Sequence, residues 1–158
     1  MNSVTHVAET KVINQRIGEV WRAIKPLDFK FWSSAVTSCR VTNGTALEVG
    51  SQREVTYKDG AVQRYQIVGI SDINHEISYE LINSDPAVHM SAALHTIRLQ
   101  RVTHDNTTFV QWESEFSSGG DYTAAVVEDS RLKKKEALQD LENFVMELEE
   151  DEVVFSHS

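Results

Sequence analysis

The fold is decided by residues 107–148, which read TTFVQWESEFSSGGDYTAAVVEDSRLKKKEALQDLENFVMEL. The first part alternates in the manner of a β-strand, with Trp112 and Phe116 on one face. Two glycines and Asp121, a residue type that favours the helix N-cap, then separate this strand from a predicted helix. The helix is expected to end near Leu148, which gives it a length on the order of 40 Å, enough to cross a whole sheet.

Six further strands are predicted before residue 107, at residues 4–12, 36–41, 53–58, 62–70, 77–82 and 89–101. Because successive strands are joined by short turns, such as the one at Asp59-Gly60, most pairs should be antiparallel. Two short helices are expected after the first strand, one capped by Asn14 and ended by Pro26, and one (a helix or a turn) over residues 28–34. The predicted fold class is therefore α+β, a curved seven-stranded antiparallel sheet wrapped around the long C-terminal helix.

Composition indicates one globular domain. The chain has 158 residues, of which 41% are hydrophobic and 25% charged, the balance of a folded soluble domain. We expect residues 1–148 to form this single domain, as a monomer or homodimer, and residues 149–158 to form an acidic flexible tail.

The net charge of -9 argues against a nucleic-acid partner, because phosphate contacts require a basic surface. One compact basic run, Arg131 with Lys133, Lys134 and Lys135, lies between acidic stretches and is interpreted as a solvated helix face. No apolar run approaches the roughly 20 residues that span a bilayer, so integral membrane association is not expected. Cys39 is the one cysteine, which leaves no intrachain disulfide and makes the cytoplasm the default location.

No metal or cofactor is expected from the motifs. His89 and His95 fall on the same face of one predicted strand, but six residues separate them by about 20 Å, too far to share an ion. The sequence also lacks the glycine-rich loops that bind nucleotides and the elbow that carries a nucleophilic serine. His95 alone is a candidate acid or base.

A recognisable pattern is formed by segments 17–21 (IGEVW), 38–41 (SCRV), 50–55 (GSQREV), 79–81 (YEL) and 112–116 (WESEF), together with Trp32, Leu138 and Leu141. These segments resemble the START-type helix-grip superfamily (SRPBCC), which includes birch-pollen allergens, plant abscisic-acid receptors and polyketide cyclase/dehydrase-like proteins. The resemblance covers roughly residues 4–148 and looks closest to the polyketide cyclase/dehydrase-like branch. It implies a deep apolar cavity between the concave sheet face and the long helix, where superfamily members bind sterols, hormones, phenolics or lipids.

The same resemblance implies differences from the abscisic-acid receptors. The receptors have a gate, Ser-Gly-Leu-Pro-Ala, on the hairpin after the third strand, where this chain has the short Lys58-Asp59-Gly60. Their His-Arg-Leu latch is expected near residues 85–89, which read DPAVH here, and their pocket lysine corresponds to Ser33. A hormone receptor of that type is therefore not expected. Arg53 instead matches an arginine that faces the cavity and acts catalytically in lachrymatory-factor-synthase-like members, whereas the glutamate that works with it corresponds to Tyr65.

Strand alternation, combined with this resemblance, predicts which residues line the cavity. Arg53 shares a face with Val55 and Tyr57, and a buried guanidinium there must hold a ligand or pair with Glu113 or Glu115. The predicted ligand-binding residues are Arg53, Val55, Tyr57, Tyr65, Tyr79, His95, Trp112, Phe116, Val126, Ala137 and Leu141. The candidate catalytic residues are Arg53, Tyr65 and His95.

Glu113 and Glu115 share the opposite face of the last strand, about 7 Å apart. Such a pair could perform acid/base chemistry. The alternative is a polar convex face on which the two carboxylates pair with Arg98 or Arg64.

Three functions are compatible with these patterns. The first is the binding of a hydrophobic small molecule of lipid, sterol, phenolic or polyketide type. The second is a cyclase/dehydratase-like enzyme that uses the same cavity, with Arg53 as the oxyanion stabiliser and a tyrosine or His95 moving the proton. The third is a chaperone co-factor or other interaction module of the same fold, with a filled cavity and a functional convex face.

Overall fold

Seven strands and two helices make up the structure, a computed structural model that describes residues 4–88, 90–118 and 123–156. The strands are β1 (Val4–Ile13), β2 (Val36–Asn43), β3 (Gln52–Tyr57), β4 (Val62–Ser71), β5 (Glu76–Asp85), β6 (Met90–Val102) and β7 (Thr107–Ser118). Their order across the sheet is β1-β7-β6-β5-β4-β3-β2, and every neighbouring pair is antiparallel. The predicted seven-stranded antiparallel sheet is confirmed, and its first and last strands lie side by side.

The first helix, α1 (Ile17–Ile24), follows β1 and buries an apolar face that includes Val20 and Trp21. Its N-cap is Arg16, which has extended backbone and no side-chain capping bond, so the predicted cap at Asn14 is wrong. The helix ends immediately before Lys25 and Pro26, as the sequence predicts.

The second helix, α2 (Thr123–Ser156), continues past Leu148, where its end is predicted. Its central part packs on the sheet and α1 through Ala137, Leu138, Leu141 and Val145. The predicted N-cap Asp121, like His89, lies outside the described residues, and the flexibility of the acidic tail stays a prediction. No helix in the described part of the chain combines the length and apolar character needed to cross a membrane.

Residues 25–35 form a series of turns, so of the two forms predicted for residues 28–34, a helix or a turn, the structure has the turn. Leu27 and Phe29 have φ angles of +48° and +54°, in the left-handed region, which interrupts a right-handed helix. Bulky residues adopt this conformation where tertiary contacts hold it. Here the guanidinium of Arg53 donates hydrogen bonds to the carbonyls of Pro26 and Leu27, and the turns carry their aromatic side chains into the core.

Candidate functional site

An internal cavity of about 330 Å³ lies between the sheet and the first half of α2. Its apolar and aromatic lining consists of Trp32, Ala35, Tyr57, Ala61, Tyr65, Tyr79, Leu81, Val88, Trp112 and Val126. Its polar lining consists of Ser34, Lys58, Asp59, Gln63, His95, Asp129, Ser130, Lys133 and Lys134. Lys58 and Asp59 on the β3–β4 hairpin, together with Asp129 and Lys133 on α2, are exposed, so the cavity opens between these two elements.

An aromatic cluster forms the inner wall of the cavity. The rings of Trp32 and Trp112 are 5.6 Å apart in an edge-on arrangement, and those of Tyr65 and Tyr79 are 5.2 Å apart. Phe29 lies behind the wall and contacts the rings of all four of these residues. Aromatic rings attract one another in edge-to-face arrangements of this kind, so the wall is suited to bind a further ring.

Two phenols from adjacent strands form a short chain of hydrogen bonds at the cavity. The hydroxyls of Tyr57 and Tyr65 are 2.8 Å apart, and the Tyr65 hydroxyl donates to the side-chain oxygen of Gln63. Burial raises the pKa of Tyr65 to about 12 and holds the pKa of Tyr57 well above its ordinary value. Both groups are therefore neutral hydroxyls at physiological pH, able to orient a polar ligand atom but not to act as bases.

Two contacts, a hydrogen bond and a stacked ring, hold the imidazole of His95 on β6 in place. Its Nδ1 lies 2.6 Å from Ser114 Oγ, and its ring stacks on Tyr79 with centroids 4.9 Å apart. Burial, with a contribution from the positive charge of Lys134, lowers the pKa of His95 to about 3. The imidazole is therefore neutral and a weak base, far from the pKa near the operating pH that general-base catalysis favours.

The buried His95 predicts a specific loss of stability in acid. Because the unfolded state takes up a proton near pH 6.5 and the folded state does not until about pH 3, stability falls as pH drops between these values. From pH 7.5 to pH 5 the wild type should lose roughly 2 kcal/mol of unfolding free energy through this residue. Urea titrations should show that His95→Asn lacks this component, whereas His104→Asn on the exposed β6–β7 turn retains it.

Lys134 on α2 is a cavity residue that sequence analysis misses, because it lies in the basic run interpreted as solvated. Its side chain is buried, and its Nζ donates to Ser130 Oγ at 2.7 Å. Among the described residues, no carboxylate forms an ion pair with it. Burial lowers the pKa of Lys134 to about 8, partly offset by the negative charge of Glu9. Helical spacing does carry the signal, because Lys134 precedes buried Ala137 and Leu138 by three and four positions.

Arg53 does not line the cavity, which corrects the central prediction about the site. Its guanidinium is buried away from the cavity and donates to the carbonyls of Pro26, Leu27 and Ala46 and to the hydroxyl of Ser51. The predicted alternative, a salt bridge to Glu113 or Glu115, is also absent among the described residues. Arg53 ties the strained turns 25–35 and the β2–β3 loop to β3.

Four other predicted lining residues are core residues instead. Val55, Ala137 and Leu141 belong to the main hydrophobic core, where α2 meets the sheet too closely to leave space. Phe116 belongs to a second buried cluster with Val7 and Ala93. The remaining predictions, Tyr57, Tyr65, Tyr79, His95, Trp112 and Val126, do lie on the cavity wall.

Glu113 and Glu115 lie outside the cavity on the other face of β7. Glu113 pairs with Arg98 on β6, and Glu115 pairs with His6 on β1. Each carboxylate is thus satisfied across the sheet, and the polar-face interpretation holds for both, although Arg64 pairs with Glu54 instead.

A family model described as polyketide cyclase / dehydrase and lipid transport matches residues 4–148. No curated protein matches the sequence.

Solved structures share the fold over most of their length. A protein from Nitrosospira multiformis is 24% identical, with a TM-score of 0.78 over 88% of this chain and 94% of its own. Ara h 8.0201 is 16% identical, with a TM-score of 0.75 over 92% and 99% of the two chains. The major latex-like protein 151 of Panax ginseng is 12% identical, with a TM-score of 0.73 over 89% and 97%. At these identities the likeness concerns the fold alone.

Proposed function

The chain belongs to the polyketide cyclase / dehydrase and lipid transport family, and on this premise we propose that it binds a small, largely apolar molecule in the cavity beneath α2. The observation that carries the proposal is the cavity of about 330 Å³ whose wall is built from Trp32, Trp112, Tyr65 and Tyr79. Ligand sites are typically concave, mostly apolar and supplied with a few polar groups, which is the composition of this lining.

The size and wall of the cavity favour an aromatic or phenolic ligand over a sterol. Ligand cavities commonly measure about 300–1,000 Å³, so this one is at the small end of the range. The aromatic wall offers edges and faces to a ring, and the hydroxyls of Tyr57 and Tyr65 offer hydrogen bonds to its polar substituent.

Binding is better supported than catalysis by the same residues. Arg53, the oxyanion stabiliser of the enzyme hypothesis, donates its hydrogen bonds to backbone carbonyls and Ser51. Tyr65 and His95 have pKa values of about 12 and about 3, both distant from neutrality. The cavity is not filled by the protein's own side chains, which likewise supports the binding of a small molecule over an interaction module with a filled cavity.

A cavity-filling substitution on β5 tests the proposal. Leu81 lines the cavity, whereas the next residue, Ile82, is exposed, so Leu81→Phe and Ile82→Phe add the same group inside and outside. We expect compounds of one to three aromatic rings to raise the Tm of the wild type saturably. Leu81→Phe should bind them about tenfold more weakly or worse, because overpacking costs about 1–3 kcal/mol. Ile82→Phe should bind them as the wild type does.

Two results would contradict binding in the cavity. One is the absence of any saturable Tm shift with aromatic compounds, fatty acids and sterols, together with no co-purified mass in native mass spectrometry. The other is an equal shift in the wild type and Leu81→Phe, which would place the ligand elsewhere on the surface.

A further inference from the structure

The charges that surround the cavity are unequal between its mouth and its interior. At the mouth, Lys133 and Asp129 pair with each other at 2.8 Å and are exposed. In the interior the one charged side chain among the described lining residues is Lys134, which is 6% exposed. The other interior polar groups, such as His95 and Tyr65, are neutral hydrogen-bonding groups. The interior therefore holds a net positive charge.

A buried ammonium is costly unless it is paired, because transfer from water removes its hydration. The Nζ of Lys134 has three N–H donors, and Ser130 Oγ accepts one of them. The negative charges of Glu9 and Asp129 act on it, but none of the described carboxylates forms an ion pair with it, so it lacks a counter-charge in direct contact. A group that enters the cavity can supply it.

We propose that the ligand of this cavity is a small aromatic or otherwise apolar carboxylate, and that Lys134 binds its carboxylate group. This inference rests on the proposed function, since it names the chemical class that the same cavity selects. A carboxylate at Nζ gains a charge-assisted hydrogen bond in a site of low dielectric, where such bonds are strongest. The apolar part of the ligand then packs on Trp32 and Trp112.

The position of Lys134 fits a ligand with a carboxylate at one end and an apolar ring at the other. It projects from α2, one turn after Ser130, while Trp112 belongs to β7 of the sheet and its indole contacts that of Trp32. A molecule that spans the cavity can therefore place its anionic group at the helix and its ring at the sheet. The neutral hydroxyls of Tyr57 and Tyr65 remain available for a second polar substituent.

Isothermal titration of two closely matched probes tests the inference. The probes are 2-naphthoate and 2-naphthalenemethanol, which share a ring system but differ in charge. The wild type should bind the carboxylate roughly 10- to 100-fold more tightly than the alcohol, the range expected for a hydrogen bond to a charged group. Lys134→Met should lose this preference by weakening naphthoate binding alone. Lys135→Met, at an exposed neighbouring position outside the cavity, should keep it.

The possible results separate this inference from the proposed function. If the wild type and Lys134→Met bind both probes with equal affinity, or if Lys134→Met keeps the carboxylate preference, the role of Lys134 is overturned while binding in the cavity stands. If neither probe binds the wild type, this inference is overturned, and the proposed function fails as well only when the wider panel of aromatic compounds, fatty acids and sterols also gives no Tm shift. Should Lys134→Met not fold, Lys134→Gln removes the same charge, retains an N–H donor and is judged by the same ratio of affinities.

Discussion

Arg53→Met should lower the free energy of unfolding by roughly 3–5 kcal/mol while leaving ligand affinity unchanged within about threefold. The side chain bridges three backbone carbonyls and Ser51 Oγ from a site that is 1% exposed. Methionine keeps the apolar stem of arginine but lacks its guanidinium, so the loss reports mainly the buried acceptors left without donors. Removing the desolvated charge recovers part of this cost, which is why the expected loss is below the sum of four separate hydrogen bonds.

The matched control is Arg40→Met on the neighbouring strand β2. Arg40 is exposed and pairs with Glu54, so its replacement should cost less than about 1 kcal/mol. Chemical denaturation of both variants, with titration of an aromatic ligand into the folded proteins, provides the measurement. A loss of affinity in Arg53→Met of tenfold or more, without a loss of stability, would return Arg53 to the binding site and refute the structural role.

Phe29→Ala should also destabilise the protein by roughly 3–5 kcal/mol, the usual cost of deleting a buried phenyl ring. Phe29 is 1% exposed and contacts the rings of five aromatic residues. Four of these neighbours line the cavity, so their positions should loosen when the ring is removed, and aromatic ligands should bind more weakly. The left-handed backbone at residue 29 strains alanine and phenylalanine alike, so it contributes little to the difference.

Phe144→Ala provides the comparison for Phe29→Ala. Phe144 is a half-buried phenylalanine on α2 that packs at the edge of the same core and does not line the cavity. Its truncation should cost less than half as much and should not alter ligand affinity. Equal losses of stability in the two variants would mean that the aromatic cluster has no special role in supporting the cavity wall.

Alternation along β3 shows what the sequence can and cannot predict. It places Arg53, Val55 and Tyr57 on one face, and the structure confirms that this face points inward. Alternation does not predict how far along the cavity each of these residues lies, however, because that depends on which loop closes over each end of the sheet. The turns at 25–35 cover the Arg53 end and fill it, and the open space begins at Tyr57.

The same limit applies to α2. Its apolar stripe correctly predicts a helix packed on the sheet, but Ala137 and Leu141 lie where helix and sheet touch, and Val126 lies where they diverge. Lys134 lies between these two regions. Its charge predicts an exposed side chain, whereas its position on the helix predicts a buried one. Residues 28–34 form turns and not the alternative helix for a related reason, since Arg53, distant in sequence, stabilises the left-handed turns.

The pairing of β1 with β7 has a consequence for how the protein is made. The register joins residues at opposite ends of the sheet-forming sequence, with Ile13 opposite Thr108 and Val4 opposite Ser117. On the ribosome β1 emerges before the other strands and must wait, with neither edge paired, until β7, the last strand, has been synthesised. Such non-local pairing slows folding and leaves an exposed strand that can pair with other chains. Nascent chains stalled before β7 should therefore depend on holdase chaperones.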